Sequence, residues 1–325
     1  MPGFTTHYIF GMKAYNDMPF TPLKHTIAKY RWLYQLGLQG PDMFFYNIPI
    51  LRHRDYRNVG SYMHEHKVNA FFECCLRRIG TIRSRQQQEE AISYLAGFIN
   101  HYIADSICHP YVYGRIGYPV DAPTSMYHGM HAHLENELDA ILLWKYKKKK
   151  PSEFNQTATI CLNGQEIQFI SHFLASCINE TYYPITYRNN FQVTPAMVHR
   201  SIWALRFGCR TLSDKNGKKK FGIAQVESIF VNHPVASAKM VTDSVTDYRS
   251  SCNLNHEAWS NPWDPPRVST ASFVDLFHET LDKCSRVYAL LNSAVTDNMP
   301  LDKQDLSPLL AELGNESYHS GLPVD

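Results

Sequence analysis

The sequence predicts an all-α fold built as a single multi-helix domain, and three observations carry that prediction. Apolar residues recur at helical spacing through most of the chain. The stretches with this spacing are bounded by Pro, Gly, Asn and Asp, residues that start and stop helices. Strand-like alternation is scarce.

Taken in order, helical periodicity covers 26–37, 60–80, 86–109, 128–146, 168–182, 195–212, 221–248 and 272–293. The third of these is expected to stop at His109, because Pro110 follows and cannot donate to a helix. Residues 158–169 carry Asn163-Gly164 between short apolar runs. A small hairpin would fit there, but a loop leading into the next helix is the preferred reading. The helical domain is expected to span 1–295. The polar, Pro-containing segment 296–325 reads as a peripheral C-terminal tail with one short helical candidate at 307–313.

Composition narrows the function classes. A chain of 325 residues has material for a sizeable core. Its formal charge of +2 provides no broad attraction for polyanions, so no nucleic-acid partner is expected. Residues 1–10 lack the basic start and apolar run of a secretory signal, and no stretch reaches the roughly 18 apolar residues of a membrane span. A cytoplasmic location with at most peripheral membrane contact is the expectation. The eight cysteines are scattered without a CxxC pair and read as reduced thiols. Two basic runs, 145–150 and 215–220, each follow an apolar segment and read as helix C-termini or exposed turns.

The chemistry concentrates in 93–110, SYLAGFINHYIADSICHP. His101, Asp105 and His109 stand four residues apart. In a helix each step of four advances roughly 400°, so successive side chains lie about 40° round and about 6 Å along the axis. All three therefore line one face of an otherwise apolar helix. Desolvating two imidazoles and a carboxylate is costly unless something compensates, and a metal cation does so. Cys108 points away from that face and reads as core.

Further donors flank this helix. Downstream, His131 and Glu135 are four apart, and so are His133 and Glu137. The two pairs are rotated by about 200°, so only one can face the pocket of His101. Spacing alone does not choose between them; the apolar Ala132, Leu138, Ile141 and Leu142 favour His131 with Glu135. Upstream, Asp42 follows Gly40-Pro41 ahead of an aromatic run, as a helix N-cap or an otherwise expensive carboxylate. His64 opens a helix, with His66 on a different face, and His7 sits in an apolar decapeptide. Each alone has a structural explanation. Together Asp42, His64, His101, Asp105, His109, His131 and Glu135 supply N and O donors suited to a multinuclear zinc site rather than a structural Cys site.

On these residues the chain resembles the zinc-dependent phospholipase C family, including a bacterial branch whose members begin near a Thr-His and lack the secreted toxins' signal. That family is related to the zinc-dependent single-strand nucleases. The matching elements are Thr6-His7, Gly40-Pro41-Asp42, His64, His101-x3-Asp105-x3-His109-Pro110 and His131-x3-Glu135-Asn136-x2-Asp139, all within 3–145. Beyond them lies Asn255-His256-x2-Trp259-x-Asn261-Pro262. The resemblance implies a largely α-helical fold with a three-zinc cluster at the base of a cleft. It puts Asp42, His64, His101 and Asp105 on one zinc and His109, His131 and Glu135 on a second. Asp105 would bridge to a third, completed by His7. Secreted members also use an N-terminal Trp on that third zinc, whereas this sequence reads Met1-Pro2-Gly3. A dinuclear site, or a substitute ligand such as His25, is the alternative. The step from Asp105 to His109 is also shorter than in the secreted enzymes.

The activity implied is hydrolysis of a phosphodiester, most directly phospholipase C-type release of a phosphorylated head group, with Asp42 as general base. A phospholipid or a small phosphodiester would be the substrate. A nuclease-like phosphodiesterase on the same scaffold and a non-catalytic metal-binding protein are the alternatives. Phe44, Phe45, Tyr46, Tyr62, Tyr102, Tyr111 and Tyr127 are candidates for a cleft lining but read mainly as core. The stretch 259–263, WSNPW, reads as a packed loop rather than a lid or membrane anchor.

Overall fold

A helix that is apolar on every side must be buried on every side, and the longest helix of this chain meets that condition. The computed structural model describes residues 3–46, 59–122, 124–182, 192–230 and 237–325. In chain order the helices are α1 (Phe4–Asp17), α2 (Pro22–Lys29), α3 (Arg31–Gly37), α4 (Val59–Glu65), α5 (Val68–Thr81), α6 (Arg85–Arg115) and α7 (Ser125–Lys147). They continue as α8 (Gly164–Thr181), α9 (Pro195–Leu212), α10 (Lys218–Phe230), α11 (Tyr248–Ser251), α12 (Phe273–Thr296) and α13 (Ser307–Leu313). A 3-10 helix occupies Gly40–Tyr46, and β1 (Trp259–Asn261) pairs antiparallel with β2 (Asp264–Ser269). The fold is all-α apart from this two-stranded ribbon. Among the described residues no helix is long and apolar enough to cross a membrane.

Helix α6 is the axis of the molecule. Helices α1, α2, α3, α5, α7, α8 and α12 all pack on it, and its residues from Ser93 to Ser106 are buried without a break. The closest approach is to α3. A Cβ on Gly37 would stand 2.1 Å from the carbonyl oxygen of Tyr94, and one on Gly97 would stand 2.1 Å from that of Tyr34. Both glycines are required, because here two backbones touch with no side chain between them.

Local chemistry accounts for the helix starts. Thr21, Ser84 and Thr194 cap α2, α6 and α9 through their side-chain oxygens. Asn163 with Glu166 forms a capping box at α8, and Ser272 with Asp275 does so at α12. The Asn163-Gly164 pair thus starts a helix and is not a hairpin turn, as the preferred reading of 158–169 required. The eight cysteines carry no disulfide, and Cys108 is fully buried beside Thr280.

Several boundaries differ from expectation. The 26–37 segment breaks at Tyr30 (φ −114°) into α2 and α3. The 60–80 segment breaks at Lys67, whose left-handed backbone (φ 47°) is held by its N–H donating to the Asp325 carbonyl. Helix α6 continues past Pro110 to Arg115, because packing on all sides outweighs one missing hydrogen bond. Within the 221–248 segment α-helix is described as far as Phe230; 231–236 lie outside the described residues, and after them come a 3-10 turn at Ser237–Lys239 and α-helix again at Tyr248. The basic run 215–220 is a turn and the beginning of α10, with Lys219 reaching back to the Thr211 and Ser213 carbonyls. The 259–263 stretch is ribbon rather than loop, anchored by Trp259 Nε1 donating to the Ala271 carbonyl.

The largest correction concerns 296–325. Leu301, Leu306, Leu309, Leu313 and Tyr318 join the main core cluster, and Tyr318 is 1% exposed. Its composition is polar, but its few apolar residues fill a gap between α5, α6 and α12, so it is not peripheral.

Candidate metal centre

Asp139 on α7 organises the first of the elements that converge on α6. Its carboxylate accepts hydrogen bonds from Thr5 N (3.1 Å) and Thr6 N (2.7 Å), N–H groups that the first turn of α1 would otherwise leave unpaired. Burial pushes Asp139 up to about 6 despite those donors. The contact fixes α1 so that His7, one residue further on, points at α6. On the other side, Gly40 adopts φ 45° and has no room for a Cβ, which would lie 2.2 Å from the His101 ring. The 3-10 turn therefore lies flat on His101 and delivers Asp42, 2% exposed, into the same space.

Two groups of side chains result. In the first, His7, Asp42, His101 and Asp105 each offer a donor atom within 4.8 Å of the others. His101 Nε2 lies 3.1 Å from Asp105 Oδ2, and His7 Nε2 lies 3.1 Å from Asp105 Oδ1. His64 joins from α4, with Nε2 at 3.3 Å from Asp42 Oδ1 and 3.7 Å from Asp105 Oδ2. The two oxygens of Asp105 thus face different imidazoles. In the second group, His109, His131 and Glu135 converge within the same limit. His131 Nε2 is 2.5 Å and His109 Nε2 3.7 Å from Glu135 Oε1. Asp105 Oδ1 is 3.8 Å from His109 Nδ1, so the groups adjoin along α6.

Orientation is set by backbone carbonyls. Nδ1 of His64, His101 and His109 lies 2.6, 3.1 and 2.6 Å from the carbonyl oxygens of Gly60, Leu38 and Tyr318 respectively. A carbonyl only accepts, so each Nδ1 carries the proton and each Nε2 is left as a lone-pair donor. Those three Nε2 atoms, both His7 nitrogens, Asp42 Oδ1 and both Asp105 oxygens have no hydrogen-bond partner among the described residues. So many orphaned buried donors in one place are exceptional, and a cation would satisfy them together. The N and O donor set suits zinc.

Electrostatics agree with that fit. Burial drives His7 down to about 4 and His109 and His131 well below the usual imidazole range, which leaves them neutral. For Asp105 burial opposes the charge, but His109, His101 and His7 outweigh it and hold the carboxyl well below the usual range. His64 shows the opposite balance: burial disfavours its charge, yet Asp105 and Asp42 raise it to about 9. Burial pushes Glu135 well above the carboxylate range. An ionised Asp105 beside the neutral His7 and His109 favours a cation, whereas His64 must release its second proton to serve as a donor.

His7, Asp42, His64, His101, Asp105, His109, His131 and Glu135 each lie in or against one of the two groups. His25 does not: it is exposed on α2. His133 is also exposed, and Glu137 is turned away to accept from Thr246 N and Ser251 Oγ. Residues Met1 and Pro2, on which the third-site question turned, lie outside the described residues. Phe44, Tyr102 and Tyr111 are core. The aromatic side of the second group is instead Tyr113, 4.5 Å from the His131 ring, with Tyr118 and Trp263 at 4.7 and 4.9 Å from Tyr113. Tyr113 was legible as the fourth residue after His109. His319, stacked on His64 at 4.9 Å, had no signal in the sequence.

No curated protein and no solved structure matches the chain. The family model for zinc-dependent phospholipase C matches residues 6–185, more than half of the sequence and the whole of both ligand groups. The chain belongs to the zinc-dependent phospholipase C family.

Proposed function

We propose that the protein is a zinc-dependent phosphodiesterase of phospholipase C type, which cleaves a phospholipid on the glycerol side of its phosphate and releases a phosphorylated head group. One observation carries the reading: two donor groups adjoin through Asp105 and His109 on one helix, as hydrolysis between neighbouring metal ions requires.

Zinc supplies Lewis acidity, lowering the pKa of a bound water to about 7 and stabilising charge that builds on phosphorus. The chain's residues do the rest. His64, His101, Asp42 and Asp105 would hold one ion, with His7 on the second oxygen of Asp105, where a third ion would be accommodated; His109, His131 and Glu135 would hold another. Asp42 Oδ1, buried and without a hydrogen-bond partner among the described residues, accepts the proton of the attacking water. Tyr113, Tyr118 and Trp263 form the aromatic side of the second group.

The test is metal analysis of the purified protein joined to a substrate panel of phosphatidylcholine, other head groups, bis-p-nitrophenyl phosphate and single-stranded DNA. Two or more zinc ions per chain with phospholipid hydrolysis is the expected result. Hydrolysis of DNA alone would assign the nuclease-like alternative, and zinc without any turnover the non-catalytic one.

A further inference from the structure

Outside the family match, residues 316–325 run against both donor groups. Tyr318 stands between the two donor groups and holds one residue of each: its N–H donates to the His64 carbonyl at 2.9 Å, and its own carbonyl accepts from His109 Nδ1 at 2.6 Å. Its ring packs on the rings of His64, His101 and Tyr102 at 4.7, 5.9 and 4.9 Å. The segment is tied down on both sides. Asn261 of β1, 2% exposed, donates to the Ser320 carbonyl at 2.8 Å, and Ser317 Oγ accepts from the N–H groups of His319 and Ser320. The Asp325 carbonyl accepts from Lys67 N just beyond α4.

His319 follows directly. It stacks on His64 (4.9 Å, 14° between planes) and lies 5.6 Å from the His109 ring, so it spans the two groups. His64 and His109 are fully buried while His319 is only part-buried, which places it on their solvent side. The Tyr113 hydroxyl is 3.3 Å from its Nδ1. With the phenol donating there, Nε2 carries the ring proton, and it has no hydrogen-bond partner among the described residues.

Building on the metal-centre reading above, we propose that residues 316–325 form a strap that completes the centre: Tyr318 sets His64 and His109 relative to each other, and His319 presents Nε2–H to a phosphate oxygen of the substrate. Tyr318 is a positioning residue acting through its backbone, and His319 a substrate-contacting one. The ribbon β1–β2 then has a purpose, since Asn261 anchors the strap from it.

The test uses the full chain loaded with zinc, the chelating dye pyridylazoresorcinol as acceptor and inorganic phosphate as probe. Asn261→Ala is expected to release part of its zinc at least about tenfold faster than the unaltered protein, with unchanged far-ultraviolet circular dichroism. Ser317→Ala carries the same test should Asn261→Ala not fold. His319→Ala is expected to keep its zinc and its release rate but to bind phosphate about five- to tenfold more weakly by calorimetry, with partial recovery in His319→Gln. Release kinetics equal to the unaltered protein in the anchor variants, or unaltered phosphate affinity in His319→Ala, would overturn the strap while leaving the metal centre standing. An unaltered protein that holds no zinc overturns the metal centre itself.

Discussion

The two donor groups share a helix but are built in opposite ways. The group around Asp105 is sealed: His7, His64, His101 and Asp105 have no exposure, and they arrive from three separate helices, with Asp42 added by a turn. The group around His109 is open on one side, where His131 is part-exposed beside Tyr113. In the first group the orienting carbonyls belong to Gly60 and Leu38, close in sequence to the residues they serve or to Asp42. In the second, the carbonyl that orients His109 comes from Tyr318, more than two hundred residues away. Burial holds the first group fast, whereas the second is reached from solvent at His131, so an ion in the first is expected to exchange more slowly than one in the second.

The largest effect is expected from Asp105→Asn, which removes the charge both groups lean on. It is expected to lose zinc from the sealed group and to lower hydrolysis of bis-p-nitrophenyl phosphate by about a thousandfold or more; unchanged zinc by elemental analysis would remove Asp105 from the ligand set. His131→Ala attacks only the open group. One zinc ion fewer per chain and a loss of activity of about a hundredfold are expected, whereas loss of all zinc would show that the groups fill as one unit. Asp42→Asn separates proton transfer from metal holding. Turnover should fall by about a hundredfold with zinc content nearly kept, and equal losses in both would make Asp42 purely structural.

Two smaller effects are read in stability. Gly97→Ala puts a methyl group against the Tyr34 carbonyl at the crossing of α3 and α6, and a loss of about 2–3 kcal/mol in denaturant unfolding is expected. Asp139→Ala removes the acceptor at the start of α1. It should cost about 1–2 kcal/mol, and because His7 belongs only to the sealed group, it should weaken zinc there and spare the open one.

Much of the candidate site was legible because its donor residues follow local rules. A spacing of four on an apolar stretch put His101, Asp105 and His109 on one face without any tertiary knowledge. The same rule with the apolar side of α7 separated His131 and Glu135 from His133 and Glu137. What stayed hidden depends on contacts distant in sequence. Pro110 reads as a stop, yet the helix around it is packed on every side and continues. The segment 296–325 reads as a tail because its polar composition conceals five well-spaced core residues. His319 belongs to no periodic pattern and reaches the centre only because Asn261 and Lys67 hold the strap in place.

The contact between Gly37 and Gly97 bears on more than packing. Three residues after Gly37 comes the turn that carries Asp42, and four after Gly97 comes His101. A junction of bare backbone has no rotamers to switch and no methyl to trade for a larger or smaller one. The interval between those two candidate ligands is therefore gauged by backbone contact rather than by side-chain fit.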